Sequence, residues 1–360
     1  MAVLYASETL LYSCFSLLMG AFLIQLVPAH KKPAILIRER WLYGSVAGIA
    51  LFAFVPAAVL ILELAAGSGV MSVAQTVILG FTVGKAWAFT LAVALFFALY
   101  LFTFPVLTDK RFTAGGLGFI LLLIGSISWS SHAASLTDWT GVLSHAVHFT
   151  AVSVWAGLLL MAGWFARDEA NWLAFLRWFS PVAATCLLLT ALSGFWMMTI
   201  ILDVRDYASD WSLNYGQALL IKHLLVLPVL LFAFINGFLF KRKLQERRDV
   251  HPKPWIKAES LILLLIFGTT AFLGQQEPPH AVSEGRYSPL FSFFYTGSLP
   301  PTLPLQLGWS PLNVLFMFLA LVFLAIGFWG YRKKEAGITF FMSTLLVFSL
   351  YLALITGLSS

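Results

Sequence analysis

The chain alternates between long apolar blocks and short polar connections. Each block has roughly 17 to 25 residues, which is enough for a helix to cross a hydrocarbon core about 30 Å thick. A membrane barrel would instead show shorter segments of alternating polarity. The pattern therefore predicts ten membrane-spanning helices, at residues 5–28, 41–64, 86–107, 114–131, 142–165, 178–202, 216–240, 258–274, 311–331 and 336–357.

The predicted fold is all-α, a polytopic integral membrane helix bundle. Composition agrees, because 60% of the 360 residues are hydrophobic and 11% are charged, whereas soluble domains carry about 25% charged residues. The N-terminal block has no basic residue before it and contains Glu8. We therefore expect this block to be the first membrane span and not a cleaved signal peptide.

Positive charge is concentrated in alternate connections. They hold 18 of the 22 Lys and Arg residues, within 30–40, 108–112, 167–177, 241–257 and 331–334. The positive-inside rule places these connections in the cytoplasm and both termini outside. The net charge of +6 is then a consequence of topology, so we expect the lipid bilayer as a partner and no nucleic acid.

This topology gathers histidines on the outer side. Five of the seven lie there, namely His132, His145, His148, His223 and His280. His145 and His148 are three residues apart, so they share one face of the fifth predicted helix. Imidazole suits copper, zinc, iron and nickel, and the thioethers of Met197 and Met198 favour Cu(I).

Carboxylates, which magnesium and calcium require, are scarce in the outer third of the predicted bundle, where only Glu8 and Glu63 occur. The histidines therefore indicate a site that receives copper as Cu(I) or Cu(II). We expect His132 and His148 to be the core ligands, with His145, His223 or His280 completing the set.

A weak internal repeat relates the third predicted helix to the seventh. The helices that follow them end in "SSHA" and "PPHA", which makes His132 and His280 counterparts. Helices 1–4 and 5–8 would then form parallel four-helix repeats, an arrangement found in transporters with a site between the halves.

Several chemical motifs are absent from the sequence. It has no Gly-x-x-x-x-Gly-Lys-Ser/Thr loop, no His-Glu-x-x-His motif and no Cys-x-x-Cys pair, and its two cysteines are Cys14 and Cys186. ATP-driven pumping and zinc proteolysis thus have no support. We expect a protein that is not an enzyme, with no catalytic or cofactor-binding residue beyond the metal ligands.

A set of ordered motifs resembles the copper resistance protein D (CopD) family over about residues 80–280. These motifs are Ser131-His132-Ala133, His148 with Trp155 and Gly157, Tyr215-Gly216, Lys222, Asn236, Glu259 and Pro278-Pro279. The sequence departs from the family pattern at Gly237, where Arg is usual, and at Thr90, where a basic residue is frequent.

The resemblance implies copper homeostasis and resistance at the bacterial cytoplasmic membrane, with copper import as the usual direction. It also implies a CopD-like core at 1–280, followed by an extracellular loop at 281–310 and an additional helix pair at 311–360. No CopC-type copper-binding domain is expected in the chain, so an extracellular CopC-type donor would be a separate protein.

Two alternatives from other classes stay open. The same histidines could ligate haem in a membrane electron carrier, since axial His is a common haem ligand. The chain could also be an assembly factor that delivers copper to a membrane oxidase.

Overall fold

The computed structural model describes residues 1–66, 69–137, 139–246, 250–281, 286–295, 297 and 305–359, without the side chains of His132 and Ala281. In these ranges ten helices are long and apolar enough to cross a membrane, which confirms the predicted all-α polytopic bundle. The chain divides into two compact units. Unit 1 is Met1–Ile200 with Lys243–Asp249, and unit 2 is Ile201–Arg242 with Val250–Ser360.

The described residues of unit 1 form six membrane spans, one of them in two helical pieces, and two shorter helices. Its helices are α1 (Ala2–Leu26), α2 (Glu39–Phe52), α3 (Val55–Leu64), α4 (Val70–Gly80), α5 (Thr82–Thr103), α6 (Lys110–Trp129), α7 (His132–Thr137), α8 (Trp139–Leu160) and α9, whose range Trp172–Ile201 ends at the first residue of unit 2. A 3-10 turn follows α1 at Ala29–Lys31, and α8 continues as a π-helical segment at Met161–Phe165. The short helices α4 and α7 lie in stretches that the sequence pattern assigns to connections.

The central contact of unit 1 is the crossing of α1 and α8, which depends on two glycines. A Cβ added to Gly157 would lie 2.6 Å from the backbone nitrogen of Gly20, and one added to Gly20 would lie 2.7 Å from the Cα of Gly157. Small residues of this kind let helix backbones approach closely inside a membrane. Beside the crossing, the ring of Phe149 on α8 packs edge-on against Phe15 of α1.

The second predicted span is interrupted between α2 and α3. Pro56 has no backbone N–H and disfavours helical geometry in the residue before it. The hydrogen-bond spacing changes at this point: the Phe54 nitrogen donates to Leu51 O, three residues back, at 3.2 Å. The two pieces together, Glu39–Leu64, still have the length and hydropathy of one span.

Unit 2 contains four membrane-spanning helices. Its elements are α10 (Tyr207–Asp210), α11 (Asn214–Phe234), α12 (Lys241–Gln245, which crosses the unit boundary), α13 (Lys253–Leu273), α14 (Pro289–Phe294), β1 (Gln306–Leu307), α15 (Pro311–Arg332), α16 (Ala336–Thr356) and β2 (Leu358–Ser359). The two short strands pair antiparallel. A π-helical segment, Ile235–Phe240, extends α11, and 3-10 turns occur at Val204–Asp206 and Pro279–Ala281.

The last helix of unit 2 shares a core with α11. Tyr351 and Ile355 of α16 are buried in one cluster with Trp211 and Leu224. The Tyr351 hydroxyl donates to Gln217 Oε1, and the Gln217 amide donates to Trp211 O. Helix α16 thus packs on α11 and on the segment that follows α10. The expected domain boundaries at 280 and 310 stay a prediction.

Candidate metal site

Helix α8 holds His148 against α9 within unit 1. The Nδ1 atom of His148 lies 3.2 Å from the Oγ atom of Ser193. The next residue, Gly194, leaves room for the imidazole, since a Cβ there would come within 3.2 Å of His148 Cε1. The ring is half-buried, so its position is set by the α8–α9 contact.

The hydrogen bonds of Ser193 determine which nitrogen of His148 is protonated. The Ser193 hydroxyl donates to Leu189 O at 2.5 Å. Because a hydroxyl has one hydrogen, its oxygen then accepts from His148, and Nδ1 carries the proton. The lone pair lies on Nε2, the usual arrangement when one ring nitrogen is fixed by an oxygen and the other binds a metal.

His145 is bonded to a different neighbour from His148. Its Nδ1 lies 3.0 Å from the Oγ atom of Ser128 on α6, and Ser128 is fully buried. The two histidines that the sequence places on one helix face are thus divided between α6 and α9.

Unit 2 holds two further predicted ligands, His223 and His280. The Nδ1 atom of His223, on α11, lies 2.6 Å from the Tyr207 hydroxyl. Burial raises the pKa of Tyr207 to about 12, so this phenol stays protonated at neutral pH. His280 Nδ1 lies 3.3 Å from Ile201 O, and because a carbonyl only accepts, Nδ1 carries the proton there too.

The predicted ligands do not form one compact group within the part of the chain that the structure describes. No three His, Cys, Asp or Glu side chains in these ranges are placed to hold a metal ion together. The side chain of His132, the first residue of α7, lies outside the described atoms. The common feature of the four described histidines is that Nδ1 faces an oxygen in each.

Thioether sulfur lies on the same helix as Ser193. Met197 follows Ser193 by four residues, which places both on one face of α9, and Met197 and Met198 are half-buried. The sequence pattern predicts these methionines as donors that favour Cu(I). It does not predict that Ser193 and Ser128 contact histidines, because serines in apolar helices most often bond back to their own backbone.

A second polar centre lies at the other end of unit 2. Asn236 Nδ2 donates to Glu259 Oε2 at 2.8 Å, and both residues are at most 2% exposed. The Asn236 Oδ1 atom is buried without a hydrogen-bond partner among the described residues. Asn236 belongs to the π-helical segment that extends α11, and such segments are frequent at functional sites.

Comparison with known families bears on these residues. Residues 173–273 match the family model described as Copper resistance protein D. This match supports membership of the CopD family. The match and the ten membrane-length helices of the described ranges together support a multi-pass membrane protein related to copper resistance. No curated protein and no solved structure shows a significant match to it.

The CopD match runs from the start of α9 to the end of α13. It includes Ser193, His223, Asn236 and Glu259, whereas the other four predicted ligands lie outside it. They are His132, His145, His148 and His280.

Within the CopD segment, the Tyr215-Gly216 motif has a structural explanation. A Cβ on Gly216 would overlap Asp210 O and lie 2.9 Å from the Trp211 nitrogen. Glycine therefore lets the first turn of α11 pack directly against α10.

Proposed function

We propose that this protein transports copper into the cell across the bacterial cytoplasmic membrane, capturing the ion at outward-facing histidines. The observation that carries the proposal is the His148–Ser193 contact in a chain that matches the CopD family model over residues 173–273. It orients a half-buried imidazole with its metal-binding nitrogen defined. Ionisable side chains within membrane helices are costly and mark substrate pathways by default.

The proposed ligand set is the one expected from the sequence. His132 and His148 form its core, and His145, His223 or His280 complete it. At His148 and His280 the protonated Nδ1 supports ligation through Nε2, because an oxygen on the second ring nitrogen orients the ring and raises its basicity. Met197 adds a soft donor one helical turn from Ser193, which suits Cu(I).

The proposed orientation follows the charge distribution. With the basic connections in the cytoplasm, both termini lie outside, the histidines lie near the outer surface and the Asn236–Glu259 pair lies near the inner one. This pair would then offer oxygen ligands to the ion on its way out of the membrane. A separate CopC-type protein is the proposed donor at the outer face, and no catalytic step is assigned.

Replacing His148 by Ala should abolish high-affinity copper binding and copper uptake. The test uses the purified protein, with bound copper measured by elemental analysis and uptake measured in proteoliposomes that contain this protein alone. The matched control is His30→Ala, an equal substitution at an exposed histidine in a basic connection, which should bind and transport as the wild type does. Unchanged copper affinity in the His148 variant would remove it from the ligand set.

The two alternatives give different results in the same preparation. A haem carrier would show a Soret band as purified, and we expect none. An assembly factor would bind copper without moving it, so copper accumulation in the proteoliposomes distinguishes transport from delivery.

A further inference from the structure

Two connections of unit 1 that carry positive charge are joined by backbone hydrogen bonds. The Leu36 nitrogen donates to Phe165 O at 3.2 Å, and the Arg167 nitrogen donates to Ala34 O at 2.7 Å. Ile35 and Ala166 form an antiparallel bridge between them. This pairing fixes the connection after α1 beside the one that precedes α9.

A cavity of about 280 Å³ lies at this junction. Its volume is near the lower end of the range of about 300 to 1,000 Å³ for ligand sites. Three arginines and three large aromatic residues contribute to its lining, namely Arg38, Arg40, Arg167, Trp41, Trp164 and Phe165.

Among the described residues, those that line the cavity include three arginines and no carboxylate. The nearest acidic residues in sequence, Glu39 and Asp168, are not among the lining residues. Asp168 Oδ1 instead accepts from the Ala34 nitrogen at 2.9 Å and from the Ala170 nitrogen at 3.3 Å. The cavity therefore combines three positive charges with a preformed wall.

The aromatic lining gives the cavity a membrane-interface character. The Trp41 and Phe165 rings pack edge-on, 5.7 Å apart, and Arg40 lies 5.7 Å above the Trp41 ring. Trp41 is 43% exposed and Trp164 is 48% exposed, and both lie near the ends of membrane spans. Tryptophan is enriched at the depth of lipid headgroups.

We propose that this cavity binds a phosphate group, carried by an anionic lipid headgroup or present as inorganic phosphate. Arginine presents paired N–H donors that match phosphate oxygens. Basic pockets between membrane helices on the cytoplasmic side are a recurrent way to hold anionic headgroups. The site is distinct from the histidines and does not depend on copper transport.

The test compares two charge-matched triple variants of the full-length protein in neutral detergent. One carries Arg38→Gln, Arg40→Gln and Arg167→Gln, and the other carries Arg332→Gln, Lys333→Gln and Lys334→Gln in another basic connection. All six side chains are exposed, so neither set removes core packing. Thermal unfolding and gel filtration check that both variants remain folded.

Native mass spectrometry measures binding of phosphatidylglycerol in one arm and of inorganic phosphate in the other. We expect the cavity variant to bind at least one of the two about tenfold more weakly than the wild type and the control variant to stay within about twofold. Loss of phosphatidylglycerol binding alone identifies the lipid as the source, and loss of phosphate binding alone identifies the free ion. Equal binding by both variants in both arms would overturn the proposal. The single variant Arg167→Gln repeats the test if the cavity triple variant unfolds.

Discussion

At the scale of single residues, the serine partners define the chemistry of the histidines. Ser193 and Ser128 each bond one imidazole of α8 through its Nδ1 atom. For His148 the direction of the bond is set, because the Ser193 hydrogen is directed to Leu189 O. Ser193, which no sequence motif marks, thus determines which nitrogen of His148 could hold a metal.

Ser193→Ala should weaken copper binding while leaving its stoichiometry unchanged. Removing the oxygen that orients a ligating imidazole typically costs about 10 to 100-fold in metal affinity, which a competition titration with a copper chelator measures. The matched control is Ser128→Ala, which releases His145 instead and should have the smaller effect if His148 is a core ligand. A larger loss in the Ser128 variant would reverse the proposed ranking of the two histidines.

Asp210 should make the stability of the protein fall as pH rises through the weakly acidic range. Burial, followed by the charges of Asp206 and Asp203, raises the pKa of this carboxyl group from 3.8 to about 7. The folded state then holds a proton that the unfolded state releases, so the stabilisation is full below pH 3.8 and is lost as the pH rises to about 7.

Thermal unfolding in detergent between pH 4 and pH 8 checks this dependence, and Asp210→Asn should flatten it. Asp168→Asn, in an exposed connection, serves as the control and should keep the slope. A wild-type melting temperature that rises over the same interval would contradict the assignment to Asp210.

At the scale of elements, glycines decide which helices touch. Gly157, which the resemblance to CopD singles out, permits the crossing with α1, and Gly216 permits the contact of α11 with α10. The hydropathy pattern locates the helices because a span of about 20 apolar residues is a local requirement. It does not indicate their neighbours, which depend on complementary surfaces distant in sequence.

Gly157→Ala should destabilise the protein by about 1 to 3 kcal/mol, because the added methyl group overpacks the α1–α8 crossing. The measurement is thermal or denaturant unfolding in detergent. The control is Gly118→Ala on α6, where nothing lies within 4 Å of the added Cβ. That change should be neutral or stabilising, since Ala is the better helix former. Equal effects at both positions would show that helix propensity, and not the crossing, decides the result.

At the scale of the whole molecule, the sequence predicts topology through its charge and the structure supplies the internal packing of each unit. Ten predicted spans with basic alternate connections predict that both termini lie on one side of the membrane. The structure adds that α16 is buried against α11 through Tyr351 and Ile355.

The orientation can be tested by accessibility of single cysteines in intact cells. In a background where Cys14 and Cys186 are replaced, Ser359→Cys should react with a membrane-impermeant maleimide and Lys334→Cys should not. Both positions are exposed, so they differ mainly in the side of the membrane. Labelling of Lys334→Cys alone would invert the proposed topology and with it the outward-facing histidines.

How much of the site could be predicted depends on how far apart in the sequence the interacting residues lie. The candidate histidines could be named from the sequence because imidazole chemistry and spacing along one helix are local properties. Their hydrogen-bond partners could not be predicted, since His145 and His148 share a predicted face of α8 and yet bond to α6 and α9. The Asn236–Glu259 hydrogen bond likewise joins residues from two helices.

The sequence by itself determined the all-α membrane fold and the ten spans found in the described ranges, and its motifs pointed to CopD. Both properties depend on the identity of residues within short stretches, where lipid solvation and helix geometry act directly. Only the tertiary structure decided that glycines join α1 to α8 and that Ser193 fixes the proton on His148. These features depend on which distant segments pack together, and that is set by shape complementarity across helices and not by local composition.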